Sequence, residues 1–315
     1  MTHLFTLDQW PNLESTVAAA QAFKKNPLAQ QNLGAGKTLG MLFFNPSLRT
    51  RMSTQKAAQN LGMNCLIINI GQEGWQLEFE DGAVMRFDRS EHVKEAAQVV
   101  AQYCDIVAIR AFAELKNAEQ DKAERVLGGF MAHAQIPVIN LESATAHPLQ
   151  ALADALTLTE HNISERPKVV LTWAPHPKAL PQAVANSFVR MMRYQKADFV
   201  IAHPEGYALD PTLTEGVTTT TQQEKALENA DFVYAKNWSS FESYGQILRT
   251  DSEWMITEEK MTKTNNAKFM HCLPVRRNVV VADGVLDSPA SLVIEQANNR
   301  TYTAQAVLQH ILQNG

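Results

Sequence analysis

Short apolar runs alternate along this chain with longer stretches in which small and apolar residues recur at helical spacing. Runs of this length, bounded by polar residues, predict buried strands. The pattern restarts after Arg166-Pro167, so the runs form two series. The predicted strands are Thr38–Phe44, Cys65–Ile70, Ile106–Arg110 and Val138–Asn140 in the first series, and Lys168–Trp173, Asp198–His203, Asp231–Ala235 and Lys268–His271 in the second.

Helical spacing appears between these runs. The predicted helices are Thr50–Leu61, Glu91–Tyr103, Asp121–His133, Pro148–His161 and Thr303–Asn314. Alternation of strands and helices predicts an α/β protein, here with two doubly wound parallel-sheet domains joined by interdomain helices. We expect the first domain to span residues 1–147, with a C-terminal helix at 303–315 packing back on it, and the second to span 148–302. Such folds place ligands at the carboxyl ends of their strands and in the cleft between domains.

Composition narrows the class of protein. The 315 residues carry a net charge of −5, which argues against a broad nucleic-acid surface. The three cysteines are widely spaced, with no CxxC pair, which argues against a disulfide scaffold or a zinc site. We find no secretory signal at the start and no run of about 20 apolar residues. The expectation is a cytoplasmic protein that binds neither nucleic acid nor membrane.

The first candidate binding segment is FFNPSLRTR at 43–51, which begins at the end of a predicted strand. Ser47 is predicted to cap the helix that starts there, leaving the first-turn amides of Leu48, Arg49 and Thr50 pointing outward. Free amides, hydroxyls and a guanidinium at a helix start suit a phosphate-sized anion. A plain serine cap with solvated arginines remains an equal alternative on these residues alone.

Two further segments follow predicted strands. In HPLQ, His147 and Gln150 lie one helical turn apart, so both can bind a carbonyl or an amide group on one face. In HCLPVRRN, Cys272 stands near His271, Arg276 and Arg277, which favour a polar or reactive thiol. Taken alone, HPLQ is more often an ordinary helix start, and Cys272 is more often a small buried residue.

Together the three segments resemble the aspartate/ornithine carbamoyltransferase superfamily. Its phosphate loop reads Ser-x-Arg-Thr-Arg, its His-Pro-x-Gln binds the carbamoyl group, and its ornithine branch carries His-Cys-Leu-Pro. All three occur here in the family's order and spacing, over essentially the whole chain. The resemblance implies transfer of a carbamoyl group from carbamoyl phosphate to an amine, without metal or organic cofactor, by a homotrimer with shared active sites.

The resemblance also implies roles for individual residues. His147, Arg49 and Cys272 correspond to the catalytic residues, with Cys272 beside the attacking amine as proton acceptor or hydrogen-bond partner. The residues that correspond to carbamoyl phosphate contacts are Ser47, Leu48, Arg49, Thr50, Trp75, Arg110, His147, Gln150, Cys272, Leu273 and Arg300. Trp75, on a glycine-flanked loop, is the one expected to reach a neighbouring subunit's site; a surface anchor or core plug is its plainer interpretation.

The segment around Lys236 indicates that the amine that accepts the carbamoyl group is not free ornithine. Ornithine enzymes carry Asp-x-Trp and a Ser-Met-Gly loop, whereas this chain reads YAKNWSSF at 234–241, with Lys236 at the carboxylate position. A lysine about 4 Å from an α-ammonium costs on the order of 4 kcal/mol near a protein surface. The chain therefore looks like the N-acylornithine carbamoyltransferases, and that implies Glu142, His176, Lys236 and Arg276 as acylornithine contacts.

The identity of the acyl group is the most detailed prediction. In these enzymes the residue before Glu-His is glutamate for acetyl and proline for succinyl substrates, and here it is Ser90. Serine lacks the charge that repels a succinyl carboxylate, and Arg89 adds a positive one. We therefore expect the product N-succinylcitrulline from N2-succinyl-L-ornithine, in arginine biosynthesis.

Other classes stay open. N-acetylornithine carbamoyltransferase is the first alternative and ordinary ornithine carbamoyltransferase is the second. A binding protein that has lost turnover would keep the same motifs, although the complete set argues against it. A dinucleotide-dependent oxidoreductase fits the α/β pattern but lacks G-x-G-x-x-G after a strand.

Overall fold

A computed structural model describes residues 2–86 and 88–314 of the chain, which divide into two compact units. The first unit comprises the chain up to Glu114, Glu119–Leu152 and Asn299 onward. The second comprises Leu115–Ala118 and Ala153–Asn298. Both main boundaries fall inside helices. No helix of the described part is both long and apolar enough to cross a membrane.

The first unit is built on parallel strands. These are β1 (Thr38–Phe43), β2 (Asn64–Asn69), β3 (Gln76–Glu78), β4 (Arg89–His92), β5 (Ile106–Arg110) and β6 (Val138–Glu142). Four of them form one sheet in the order β2-β1-β5-β6, and β3 pairs with β4. β5 is buried along its whole length, as expected when helices cover both faces of a parallel sheet.

Helices pack around this sheet after a short 3-10 turn at Leu7–Gln9. They are α1 (Leu13–Lys25), α2 (Arg49–Asn60), α3 (Val93–Tyr103), α4 (Ala118–Lys122), α5 (Arg125–His133), the first part of α6 (Pro148–His161) and the last part of α12 (Val293–Asn314). α6 starts with proline, which tolerates the first helical position because it has no N–H to satisfy. The C-terminal part of α12 is tied to this unit through Gln305, which bonds Asn60 at 3.0 Å and the Pro27 carbonyl at 2.8 Å.

The second unit repeats the plan with five parallel strands in the order β11-β10-β7-β8-β9. Its strands are β7 (Lys168–Trp173), β8 (Asp198–Ala202), β9 (Thr218–Thr220), β10 (Phe232–Lys236) and β11 (Lys268–Met270). Its further helices are α7 (Ala183–Met192), α8 (Pro211–Thr214), α9 (Gln223–Leu227), α10 (Glu258–Met261) and α11 (Asp283–Leu286). The predicted α/β class with two parallel sheets is confirmed.

Each sheet has a point where the strand order reverses. In the first unit β1 lies between β2 and β5, and Phe43 pairs with Arg110 at their carboxyl ends. In the second unit β7 lies between β10 and β8, and Trp173 pairs with Lys236. Ligands of open α/β sheets bind at such points, so the fold directs attention to the chain just beyond these four residues.

The structure corrects three local predictions. The helix predicted over Asp121–His133 is two helices, because Glu124 adopts a left-handed conformation with φ of 47°. The last helix begins at Val293 rather than Thr303, so Arg300 lies inside it. Ser47 does not cap α2; Leu48 holds that position in helical geometry without a side-chain cap.

The short strands β3, β4 and β9 were not anticipated. Each has only three or four residues, too few for the apolar alternation that predicts a strand to be visible. The predicted domain boundary at residue 147, with one ligand assigned to each domain, stays a prediction.

Candidate active site

The segment that joins β1 to α2 is anchored at its start. The side-chain oxygen of Asn45 accepts a hydrogen bond from the Phe112 amide at 2.6 Å, which ties this segment to the chain after β5. Leu48 is exposed, whereas Thr50 in the first turn of α2 is buried. With no side-chain cap on α2, the helix start keeps its capacity to bind an anion.

Arg110 ends β5 beside this segment. Its guanidinium forms a salt bridge with Glu142, lies 3.5 Å from the Thr50 hydroxyl and stacks 4.1 Å from the centre of the Phe112 ring. Its Nε is buried and makes no hydrogen bond to the described residues. The side chain is only 7% exposed, so its charge acts through little solvent and interacts strongly with an anion.

Arg300 reaches the same hydroxyl from α12. One terminal nitrogen donates to Thr50 at 2.6 Å and the other donates to the Gln150 side-chain oxygen at 3.0 Å. All three side chains are buried. The carboxamide of Gln150 is thereby oriented, since its oxygen faces the arginine and its NH₂ is turned elsewhere.

His147 joins this group through Glu142. Its Nε2 lies 3.2 Å from the carboxylate oxygen that also binds Arg110. Glu142 was predicted to contact the acylornithine, and the structure puts it among the predicted carbamoyl phosphate residues. A carboxylate there partly neutralises the arginines in the absence of an anion.

The loop between β6 and α6 is fixed by Glu124. One oxygen of its carboxylate accepts from the Ser143 hydroxyl at 2.7 Å, the Thr145 amide at 2.8 Å and the Thr145 hydroxyl at 2.6 Å. Burial raises the pKa of Glu124, while these hydrogen bonds act in the opposite direction. The loop ends at His147, so Glu124 helps to fix the backbone position from which the imidazole extends.

The first group thus combines a helix start, two buried guanidiniums, a hydroxyl, an imidazole and a carboxamide. Its cations outnumber its single carboxylate, and they suit a dianionic phosphate. The imidazole and carboxamide suit a neutral carbonyl and an NH₂ group. We call this set the anion group: Ser47, Leu48, Arg49, Thr50, Arg110, Glu142, His147, Gln150 and Arg300.

In the second unit, Lys236 ends β10 and is 7% exposed. Its ammonium donates to the Asn237 carbonyl at 3.0 Å. The backbone around it is held by Asn237, which donates to the Ala174 carbonyl at 2.8 Å, and by Trp238, whose indole donates to the Tyr207 carbonyl at 2.8 Å. The charge of Lys236 is therefore presented from a fixed position.

His176 and Arg276 meet near that charge. The Arg276 Nε donates to His176 Nε2 at 3.1 Å. On the other side of the ring, Nδ1 lies 2.9 Å from the Lys178 carbonyl and 3.1 Å from the Lys178 amide. Burial, followed by the charges of Lys236 and Arg276, lowers the pKa of His176 despite the bond to Lys178. A neutral imidazole with two cations is a site for carboxylates, and we call these three residues the cationic group.

The predicted cysteine segment leaves the end of β11. The His271 ring accepts the Leu273 amide at 2.9 Å, and the His271 amide donates to Gln296 at 3.0 Å. Further along, Arg277 is held by Asp283 at 2.9 Å and by Asp287 at 2.7 Å. Cys272 is buried and lies in the loop that follows β11.

Trp75 and Ser90 lie on the β3–β4 part of the first unit. The Trp75 indole is 59% exposed and donates to Glu91 at 2.7 Å. Ser90 is exposed on β4. Arg89, expected to add positive charge there, is paired with Glu78 at 2.8 Å, so much of its charge is neutralised locally.

Sequence reasoning missed Glu124, Asp154 and Gln296. Asp154 offered one signal, because it stands one turn after Gln150 in a run of alanine and leucine residues. Among the residues that the structure describes, no group of three or more His, Cys, Asp or Glu side chains is placed to hold a metal ion.

Comparison with known families agrees with this geometry. Residues 2–160 match "Aspartate/ornithine carbamoyltransferase, carbamoyl-P binding domain" and residues 181–311 match "Aspartate/ornithine carbamoyltransferase, Asp/Orn binding domain". The N-succinylornithine carbamoyltransferase of Bacteroides fragilis is 50% identical over 96% of both chains. The N-acetylornithine carbamoyltransferase of Xanthomonas axonopodis is 35% identical over 98% of this chain and 96% of that protein.

Solved structures give the same relationship. A complex of an N-acetyl-L-ornithine transcarbamylase variant with carbamyl phosphate and N-succinyl-L-norvaline superimposes with a TM-score of 0.93. It is 34% identical and covers 99% of this chain and 100% of its own. The motifs, the two matched domains and these relatives agree, and the chain belongs to the aspartate/ornithine carbamoyltransferase family of transferases.

Proposed function

We propose that the protein transfers the carbamoyl group of carbamoyl phosphate to the δ-amine of N2-succinyl-L-ornithine, yielding N-succinylcitrulline and phosphate. The observation that supports an acylated acceptor is the cationic group. Lys236 and Arg276 lie near a neutral His176, where free ornithine enzymes have a carboxylate. We assign the reaction to arginine biosynthesis.

The anion group supports binding of carbamoyl phosphate. Arg110, Arg49 and the helix start bind the phosphate, with Ser47, the Leu48 amide and Thr50 completing its hydrogen bonds. His147, Arg300 and Thr50 polarise the carbonyl oxygen, and Gln150 with the carbonyls of Cys272 and Leu273 orients the NH₂. Thr50, Arg300 and Gln150 are already bonded to one another, which supports stabilisation of developing negative charge with little reorganisation.

The chemical step needs no covalent enzyme intermediate. The δ-amine gives up a proton, its nitrogen forms a bond to the carbonyl carbon, and the tetrahedral intermediate breaks the carbon–oxygen bond to phosphate. The phosphate leaves with the bonding electrons. Cys272 is the candidate acceptor of the amine proton, and holding both reactants in place supplies a large part of the rate.

The charges of the cationic group favour an acylated substrate. N-Acylation removes the α-ammonium that Lys236 would repel, and N-succinylornithine offers two carboxylates to two cations. Glu142 is bonded to Arg110 and His147, so we assign it to positioning of the anion group, with an acylornithine contact as its further role.

The relatives support succinyl over acetyl. The chain is 50% and 49% identical to two Bacteroides N-succinylornithine enzymes and 35% identical to N-acetylornithine enzymes. Structures of N-acetyl-L-ornithine transcarbamylase with one glutamate changed to serine or proline carry N-succinyl-L-norvaline. We take Ser90 to stand at the position of that glutamate.

A single assay tests the acceptor. Carbamoyl phosphate is offered with ornithine, N-acetylornithine or N-succinylornithine, and citrulline-type product is measured. We expect turnover with N-succinylornithine to dominate, Ser90→Pro to retain it and Ser90→Glu to shift preference to the acetyl substrate. Dominant turnover of N-acetylornithine or of free ornithine by the native protein would replace the proposal with the corresponding alternative.

Two variants test the residue roles. Arg49→Ala is expected to raise the KM for carbamoyl phosphate sharply; an unaffected KM contradicts the phosphate assignment. Cys272→Ala is expected to lower kcat and change its pH dependence. Near-normal turnover with the same pH profile would remove Cys272 as proton acceptor.

We also propose a homotrimer with shared sites. Leu48, Met52 and Trp75 are exposed apolar side chains on the first unit, and covering them by another copy would remove them from water. Mixing Trp75→Ala with Arg49→Ala protein is expected to restore activity through hybrid sites. No recovery in verified mixed oligomers would refute shared sites.

A cytoplasmic location is the last part of the proposal. Cys65, Cys104 and Cys272 are free thiols, in keeping with a reducing compartment.

A further inference from the structure

Asp154 is a carboxylate to which the anion and cationic groups give no role. It lies on α6 within the second unit, and its side chain is 0% exposed. Burying a carboxylate costs free energy unless donors surround it. Its contacts therefore indicate what the residue does.

The first contact is Gln296 on α12, which is also fully buried. Gln296 donates its NH₂ to Asp154 at 2.7 Å and accepts the His271 amide at 3.0 Å through its oxygen. A carboxylate accepts two hydrogen bonds per oxygen and donates none when ionised, so it selects the orientation of the carboxamide. Asp154 thus determines that the oxygen of Gln296 faces His271.

The connection continues to both sides of Cys272. The His271 amide precedes Cys272, and the His271 ring accepts the Leu273 amide at 2.9 Å. The backbone that carries the thiol and the two carbonyls assigned to the carbamoyl NH₂ is therefore held through Gln296.

Tyr234 provides a second connection. It lies on β10, where it pairs with Met270, two residues before Cys272. Its side chain is fully buried, and its hydroxyl makes no hydrogen bond to the described residues but interacts electrostatically with Asp154 and Cys272. Burial, followed by the charges of Asp154 and Cys272, raises the pKa of this phenol, so it remains a proton donor.

We propose that Asp154 is a positioning residue for Cys272, acting on its backbone through Gln296 and His271 and on its thiol through the Tyr234 hydroxyl. The titratable groups around the thiol in this arrangement are Asp154 from α6, Tyr234 from β10 and His271 from the segment after β11. The importance of Cys272 for turnover rests on the proposed function, whereas the effect of Asp154 on the thiol does not.

The test is Asp154→Asn in the full chain, with the alkylation rate of Cys272 by iodoacetamide followed by peptide mass spectrometry over a pH series. Removing the negative charge of Asp154 stabilises the thiolate, to which the Tyr234 hydroxyl is then expected to donate. The alkylation profile is expected to move to lower pH by about one unit. In the carbamoyl assay kcat is expected to fall about 10- to 100-fold, with the KM for carbamoyl phosphate within about twofold.

Tyr234→Phe is the companion variant, because it keeps the ring and deletes only the hydroxyl. The thiolate then loses a donor while Asp154 keeps its charge, so the alkylation profile is expected to move to higher pH. Asp231→Asn is the matched control: this carboxylate accepts the Lys168 amide at 2.8 Å at the start of a strand and is expected to leave the profile unchanged.

An unchanged Cys272 profile in Asp154→Asn overturns the proposal, even if activity falls. If Asp154→Asn does not fold, an unchanged profile in Tyr234→Phe overturns it instead. Absence of carbamoyl transfer by the native protein would refute the proposed function but leave the thiol measurement as a valid test.

Discussion

The anion group and the cationic group are held in different ways. In the anion group, buried side chains bind one another: Arg110 and Arg300 share Thr50, and Glu142 joins Arg110 to His147. In the cationic group, backbone carbonyls and one imidazole orient the cations, and Arg276 is exposed. Removing Arg110 leaves the Glu142 carboxylate without its guanidinium, whereas Lys236, which is equally buried, donates to a neutral backbone carbonyl. Substitutions in the first group therefore carry the larger penalty.

The difference also separates two tasks. A mutually bonded group suits a ligand that is the same for every relative in the family, because its geometry is fixed before binding. Cations held by backbone carbonyls leave no partner charge unpaired when they are exchanged, and we expect such an exchange to alter the accepted amine. We therefore propose that the anion group is a site of reaction and the cationic group a site of selectivity.

Arg110→Ala is expected to give the largest effect. It deletes a proposed phosphate contact and leaves Glu142 without its guanidinium, a change that costs about 2–5 kcal/mol. The kcat/KM for carbamoyl phosphate should fall about 10³-fold, since each 1.4 kcal/mol is tenfold. Steady-state kinetics measure it, with Arg125→Ala as control, because Arg125 pairs with Glu80 at the surface. A loss below tenfold would show that the anion group does not act as a unit.

Lys236→Met should give the next largest effect, and one confined to the acceptor. The side chain keeps its length and loses its charge, so the KM for N-succinylornithine should rise about 100-fold, or about 3 kcal/mol. The KM for carbamoyl phosphate should stay constant. Lys225→Met, on the exposed side of α9, is the matched control. Equal increases in both KM values would contradict the separation of tasks.

The strands and motifs were predictable because they depend on local patterns. β5 and β7 were predicted to the residue, since strands buried in a parallel sheet are mostly apolar. The start of α12 was not, because Gln296, Asn299, Arg300 and Thr303 give its buried face a polar composition. Only tertiary partners such as Asp154 and Thr50 explain that face, and these partners are far apart in sequence.

The break at Glu124 has the same origin. No pattern in residues 121–133 predicts the break, because the Glu124 carboxylate accepts hydrogen bonds from Ser143 and Thr145 on another loop. Those hydrogen bonds offset the cost of the left-handed conformation. The roles assigned to individual site residues remain predictions, because those roles concern the binding of ligands.

Glu124→Gln is expected to have a moderate effect that spreads to the anion group. Replacing the charged acceptor weakens three hydrogen bonds and should cost about 1–2 kcal/mol of folding free energy, measured by urea denaturation. The loop that ends at His147 would loosen, lowering kcat/KM for carbamoyl phosphate about tenfold. Glu119→Gln, exposed on α4, is the control. Lost stability with unchanged kinetics would show that Glu124 supports the fold alone.

The smallest expected effect is a change in proton binding by His176. Its pKa lies below the ordinary 6.5 because of burial and then the charges of Lys236 and Arg276, with the bond to Lys178 opposing them. Below pH 6.5 the unfolded chain therefore takes up a proton that the folded chain refuses, and stability falls as the pH drops from 6.5 toward the folded pKa. In Lys236→Met the pKa of His176 should rise, which reduces this loss.

Titration of the His176 ring by NMR and denaturation at a series of pH values measure both quantities. Lys178→Met is the sharper control, because its charge contributes less than those of Lys236 and Arg276. An equal rise in pKa in the two lysine variants would mean that Lys236 does not act on the imidazole preferentially. The cationic group would then be three neighbours rather than one electrostatic unit, and its selectivity for a dicarboxylate would have to come from shape.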